Sequence, residues 1–260
     1  MLGATALTLR ILDHPVLYFV VWFAVLLLAA LIGKEIRRRR PTLGKGEKDD
    51  LNLILSGTLT LVSLIVGFSF SMAVSRYDAR KNLEAHEANV IRIAYERAEL
   101  LRQPYARDIQ AMLRTYIGER ISLYGSGDEA GDAAILNRTF DLQRRLWDTV
   151  KPPAIAEPNE VTALAAESIN QVVDAESATQ AAWQDRIPLP AWVLMVVMTM
   201  FSCTLIGYYE QPDRATRRFY LVMPALLAVA LFMIADLDSA RSWPTMIAPV
   251  NLVRVEQLMH

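Results

Sequence analysis

Asn52–Asp78 reads NLILSGTLTLVSLIVGFSFSMAVSRYD, and this stretch decides the fold class. Leu53 to Ser75 holds no ionisable side chain. That run of about 23 residues is long enough for a helix to cross a bilayer. It is not apolar on every side. Asn52, Ser56, Thr60, Ser63, Gly67, Ser71 and Ser75 recur at every third or fourth position, which gathers them into one narrow polar and small stripe. Leu53, Ile54, Leu59, Leu61, Val62, Leu64, Ile65, Phe68 and Met72 take the remaining faces. Small and hydroxyl residues let helices approach closely in a bilayer, each hydroxyl returning to its own backbone. The same stripe can instead line a wet path. Both uses hold together if copies of the helix surround a common axis, so Asn52, Ser56, Thr60, Ser63, Gly67 and Ser71 form the candidate pore-lining set.

The surrounding composition agrees with a membrane protein. The chain has 260 residues, 53% of them hydrophobic and 21% charged, with a formal net charge of -1. This balance suits several spans plus a sizeable soluble part. It lacks the dense basic face a nucleic-acid partner requires. The single cysteine, Cys203, falls within an apolar segment and precludes an internal disulfide.

Three further runs read as spans: Val16–Gly33, Leu189–Tyr208 and Phe219–Ala235, the last kinked at Pro224. The basic cluster Lys34, Arg37, Arg38, Arg39 and Arg40 follows the first run instead of preceding it, which marks a retained helix and not a cleaved leader. Pro41, Gly44 and Gly46 break the connector to the second span. Beyond Ser75 nothing stops the key helix, because Arg76–Leu101 has neither glycine nor proline and is rich in Ala, Glu, Arg and Leu. One continuous helix is therefore expected from about Leu53 to about Leu101, ended by Gln103-Pro104. Pro104–Tyr124, Ala133–Val150 and Val161–Arg186 read as further helices, separated by a loop at Gly125–Asp132 and a proline-rich turn at Lys151–Glu160. The expected fold is an all-α membrane protein with four spans and a soluble helical bundle inserted between the second and third. Its expected parts are residues 1–75, 76–188 (the bundle), 189–236 and a somewhat amphipathic tail, 237–260.

Lysine and arginine near the span ends set orientation. The short connectors at 34–48 and 210–218 carry ten of them, Arg214, Arg217 and Arg218 included. The count puts the connectors in the cytoplasm and both termini plus the bundle outside, although Arg76, Arg80 and Lys81 pull the other way.

Candidate chemistry is sparse. Arg76, Asp78, Arg80 and Glu87 continue the key helix and could form a charged mouth; Arg76 and Arg80 share a face, so a ring of them would attract anions. Snorkelling at the membrane boundary is the plainer use of such arginines. Glu87, set among Leu83, Val90 and Ile91, could also be buried with a partner. Asp236 and Asp238, with Arg241 nearby, leave the fourth span as interfacial acids or as a weak cation site. His86-Glu87 lacks the second histidine of a zinc motif, since Val90 stands there, and Gly44–Lys48 lacks the spacing of a phosphate loop. No nucleophile has a recognisable base, so no catalysis is expected.

Gly67–Ile91, GFSFSMAVSRYDARKNLEAHEANVI, resembles the bestrophin-like family of bacterial membrane proteins, in which a GF-x-FSMA-x-SRYD-x-R motif leads into an EAN-containing helix. Ala235–Arg241, ADLDSAR, and the four-span layout are similar too. The family is distantly similar to bestrophins, pentameric anion channels whose second span lines the pore. The resemblance implies a homo-oligomer, a pentamer, in a bacterial inner membrane, with inorganic anions such as chloride as its cargo. It turns the stripe toward the axis and makes Phe68 or Phe70 a constriction. It implies a cytoplasmic soluble region, opposite to the charge count. Bestrophins clasp calcium with an acidic cluster after the fourth span; only Asp236 and Asp238 correspond here, short of the six to eight oxygens calcium takes. No other cofactor is implied. A non-conducting scaffold or signalling module, binding a protein through its bundle, is the alternative from another class.

Overall fold

The computed structural model describes residues 15–39, 44–126, 129–209, 219–239 and 246–260. Arg40, Pro41, Arg214, Arg217, Arg218 and Arg241, used in the sequence reading, lie outside the described residues. Eight α-helices and no strand occur among those described: α1 (Pro15–Arg38), α2 (Lys45–Ala98), α3 (Tyr105–Gly125), α4 (Glu129–Ala156), α5 (Glu160–Gln184), α6 (Leu189–Tyr209), α7 (Phe219–Asp238) and α8 (Val250–Leu258). Four helical stretches are long and apolar enough to cross a membrane, and they fall on α1, α2, α6 and α7. Helices suit this role because each backbone N–H finds its carbonyl within the same segment, with no call on water.

α2 is a single helix of 54 residues, about 80 Å long at 1.5 Å per residue. It starts earlier than the composition suggests. Gly46 was expected to break it but lies in its first turn, where a glycine costs little, and the Gly44 N–H donates to the Glu47 carboxylate (2.9 Å) just ahead of that turn. α4 likewise outruns its expected end. It continues through Pro152 and Pro153 to Ala156 instead of giving way to a turn at Lys151. The fixed φ of proline is helical, so both continue the turn, at the cost of the two N–H groups that would have reached the carbonyls four residues back. Asn159 then starts α5 with a reciprocal cap: its side chain accepts from the Thr162 N–H (3.0 Å), and its own N–H donates to the Thr162 hydroxyl (3.2 Å).

The chain forms two compact units, residues 1–77 with 186–245, and residues 78–185 with 246–260. In the first, α1 packs on α6 and α7, and α6 packs on α7. Leu26, Ala29, Ala30, Met195, Cys203, Ala228, Leu231 and Ile234 make its core, joined by Ala73 of α2. α1 and α6 touch backbone to backbone. A methyl group on Gly33 would run into the Thr204 carbonyl, and one on Gly207 into the Ala30 carbonyl. Only residues without a side chain permit that approach. Thr199 and Ser202 are buried here and give their hydroxyls to the carbonyls of Met195 (2.8 Å) and Met198 (2.9 Å).

In the second unit α3 packs on α4, α4 on α5, and α3 on α8. Ile109, Leu113 and Ile117 of α3, Leu146 and Val150 of α4, and Ile169 and Val172 of α5 are buried, as are Ile91 and Ala94 of α2. The nine-residue α8 is held at both ends. At its start Glu84 accepts the backbone N–H groups of Asn251 (2.9 Å) and Leu252 (3.0 Å) and the Asn251 side-chain amide (2.6 Å). A carboxylate there meets the free donors and the positive pole of the helix. At its end Arg114 (2.8 Å) and the Tyr95 hydroxyl (3.3 Å) donate to the Met259 carbonyl, and Leu252, Val255 and Met259 face inward between these clasps.

The glycine crossing gives a direct expectation. Gly207→Ala should lower the stability of the detergent-solubilised protein by about 1–3 kcal/mol, the usual range for overpacking. Gly125→Ala, with nothing within 4 Å of the added methyl, should leave the thermal unfolding midpoint nearly unchanged.

Candidate functional site

The spanning part of α2 has one face committed to the chain's own core and the rest uncommitted. Thr58, Val62, Ser69 and Ala73 are buried, with Ile65 and Val66 against the core of the first unit. Asn52, Ser56, Thr60, Ser63, Gly67 and Ser71 are all exposed, and a methyl on Gly67 would meet no atom within 4 Å. The stripe therefore plays no part in packing the helix onto its own chain. Its hydroxyls turn back on the helix: Ser56 donates to the Asn52 carbonyl (2.8 Å), Thr60 to that of Ser56 (2.9 Å) and Ser63 to that of Leu59 (2.9 Å). Each presents oxygen lone pairs outward and spends its proton inward.

Phe68 and Phe70 are two positions apart, so they point about 200° apart around the helix. Phe68 is 67% exposed and joins the exposed ridge of Leu61, Leu64 and Met72, whereas Phe70 is 37% exposed. The direction opposite the packed face lies between stripe and ridge, near Leu53, Leu64 and Ser71, from 3.6 residues per turn.

The four charged positions beyond the span divide. Asp78 is exposed and Arg76 half-buried, with its guanidinium 3.9 Å from the Met72 sulfur. Arg80 and Glu87 do not stand at an opening of this chain. Arg80 is buried and donates to the carbonyls of Ala182 (3.1 Å) and Asp185 (3.2 Å). Glu87 is buried against Arg120, which binds both its oxygens, through Nε to Oε1 and Nη2 to Oε2 (3.3 Å). The Thr179 hydroxyl donates to Glu87 Oε2 (3.1 Å), and Arg120 Nη1 reaches Glu176 Oε1 (3.4 Å). Burial pushes the Glu87 carboxyl above its ordinary value, with Arg120 and Thr179 opposing. Burial disfavours the Arg120 charge as well, but Glu87 beside it outweighs that and holds the guanidinium above its ordinary value.

Asp236 and Asp238 are buried. Asp238 accepts the Ile187 N–H with both oxygens (2.9 and 3.2 Å), which ties the end of α7 to the segment leading into α6. Among the described residues no three His, Cys, Asp or Glu side chains come together as a metal site. Two open grooves of about 500–540 Å³ lie on the bundle, one lined by Leu101, Tyr105, Pro153 and Val161, the other by Met112, Thr115 and Leu142.

Sequence reasoning missed Arg120, Glu176, Glu84 and the glycine pair as structural residues. One signal was available: Arg120 falls on the apolar side of α3, one turn after Tyr116 and Ile117 and before Leu123 and Tyr124. Arg120→Ala should cost about 3–5 kcal/mol, the range for stripping one partner from a buried ion pair. Arg138→Ala, which removes an exposed pair with Glu119, should leave the unfolding midpoint within error, and circular dichroism melts would compare the two.

Comparison with known proteins agrees with this architecture. A Bestrophin-like domain model matches residues 20–240. A point-mutated form of a bacterial bestrophin homologue from Klebsiella pneumoniae superposes with a TM-score of 0.65 at 12% identity, over 93% of this chain and 97% of that one. The same kind of homologue solved by zinc phasing gives 0.65 at 11% identity, over 95% and 97%. A structure described as a membrane protein gives 0.64 at 11%, over 94% and 97%. No curated protein matches the sequence. With a four-span all-α chain and a family match across most of its length, this protein belongs to the bestrophin-like family.

Proposed function

We propose that the protein is one subunit of a homo-oligomeric ion channel in a bacterial inner membrane, with α2 lining the central path. One observation carries this reading. α2 has a spanning stretch free of charge whose polar stripe, and whose Leu64 and Phe68 ridge, are both left exposed by the chain's own helices. Copies arranged about an axis would enclose both. Anions, chloride among them, are the cargo this reading favours. No carboxylate occurs from Leu53 to Ser75, and Arg76 is the first charge met after the span. A pentamer is the stoichiometry that the family likeness supports. Phe68, facing more nearly opposite the packed side than a residue buried with it could, is the favoured constriction.

A second reading has its own support. Ser56, Thr60 and Ser63 already give their protons to their own helix, as hydroxyls do in dry helix contacts. The stripe would then be a seam between copies in a non-conducting scaffold or signalling module, whose bundle binds another protein.

The side of the membrane holding the bundle is part of the proposal. Ten basic residues in the short connectors support an external bundle, in the periplasm of a diderm cell; the likeness to bestrophins supports a cytoplasmic one. A cytoplasm-only reporter inserted near Gly127, a position outside the described residues, assigns it by its activity.

Purified protein in planar bilayers should carry current, and Phe68→Ala should change unitary conductance more than Phe70→Ala. Ser63→Leu should reduce current while leaving the oligomer intact. Loss of the oligomer in Ser63→Leu, with no current from the wild type, would favour the scaffold. A monomer or dimer by light scattering would remove the channel reading altogether.

A further inference from the structure

The spanning part of α2 carries no charge, so the first charges beyond it weigh most on an ion entering at that end. In chain order these are Arg76, Asp78, Arg80 and Lys81. Along the sequence an arginine leads and bases outnumber the acid. On the helix the four part company.

Arg76 and Arg80 each stand two positions from Asp78, so both point about 200° away from it around α2. Their surroundings agree with that division. Arg80 is buried and spent on the carbonyls of Ala182 and Asp185. Arg76 is half-buried, with its guanidinium against the Met72 sulfur. Asp78 is exposed, and among the described residues no hydrogen bond or ion pair holds its carboxylate. Ser71, which lies near the direction opposite the packed face, is seven positions back. Seven positions bring a helix round to within about 20° of the same direction, so Asp78 continues the face of Ser71. Lys81, the next exposed charge, stands about 60° to one side of Asp78.

We propose that Asp78 sets the ion preference of the path at the mouth that follows Ser75. Copies of α2 about an axis would gather a ring of carboxylates there, which draws cations and holds down anion entry. Neither arginine takes this part, because each is turned toward the packed side. This inference rests on the channel reading and gives it a specificity-determining residue. The uncharged, hydroxyl-bearing span still admits an anion; the ring lowers how readily one enters from this end.

The test is the reversal potential of the full-length protein in planar bilayers under a sodium chloride gradient at low ionic strength, where exposed charges are screened least. Asp78→Asn should raise the chloride-to-sodium permeability ratio about twofold or more, the scale of one unit charge acting through about 10 Å of water. Asp78→Lys should raise it further. Arg76→Gln should leave the ratio unchanged, and Lys81→Gln should lower it by less than Asp78→Asn raises it.

A second arm reads the same position by chemical modification. The thiol introduced by Asp78→Cys is treated with an anionic or a cationic methanethiosulfonate, with wild type, whose Cys203 is buried, as the control. The anionic reagent should restore the wild-type ratio, and the cationic one should raise it as Asp78→Lys does. An unmoved ratio in Asp78→Asn, a larger shift in Arg76→Gln, or no response to either reagent would overturn the proposal. Absence of current from wild type removes the channel reading and this inference with it. Current that persists with an unmoved ratio removes the inference alone.

Discussion

Every backbone N–H and carbonyl placed in hydrocarbon must be paired within the protein, because nothing else there can accept or donate. That constraint governs the first unit. It makes each crossing segment a helix, sends the hydroxyls of Thr58, Ser63, Thr199 and Ser202 to carbonyls of their own helix, and fastens the Ile187 N–H to Asp238 where the backbone leaves α5 for α6. With the backbone settled locally, the side chains are left to decide what each face meets. α2 uses one face on its own chain and leaves a polar stripe and an apolar ridge without a partner in it.

The second unit answers to a different rule. Its core is built by burying Ile109, Leu113, Ile117, Leu146 and Ile169 among its own helices. Charges then appear inside it only where they meet partners. Glu84 caps α8, Arg80 satisfies carbonyls at the end of α5, and Arg120 sits between two carboxyls. A buried ion pair is weak evidence of added stability. What these groups do supply is registry, since each names one neighbour for α2 along the bundle.

The fold was legible because its signals are local. Uncharged runs of spanning length, the helix-forming run after Ser75 and the break at Pro104 are all read from adjacent residues. Errors fell where a local signal was overruled. Gly46 and the Pro152-Pro153 pair were read as breakers, yet the glycine falls in a first turn, and the prolines, with their helical φ, remove only their own two donors without ending the helix. The partnerships were less legible. Glu87 looked out of place among apolar neighbours, but Arg120 lies 33 positions on and no spacing rule links them. The stripe was visible from periodicity, and the divergence of Phe68 and Phe70 follows from their spacing; that the stripe faces away from the chain's own core needed the helix to be placed.

Gly33 and Gly207 lie where α1 and α6 cross, each hemmed by a carbonyl of the opposite helix. Two rods meeting this way are notched into one another: sliding by a single residue would drive a side chain into a neighbour's main chain. α1 and α6 are therefore geared as one stiff plank, and whatever bending the membrane half undergoes must find its pivot elsewhere.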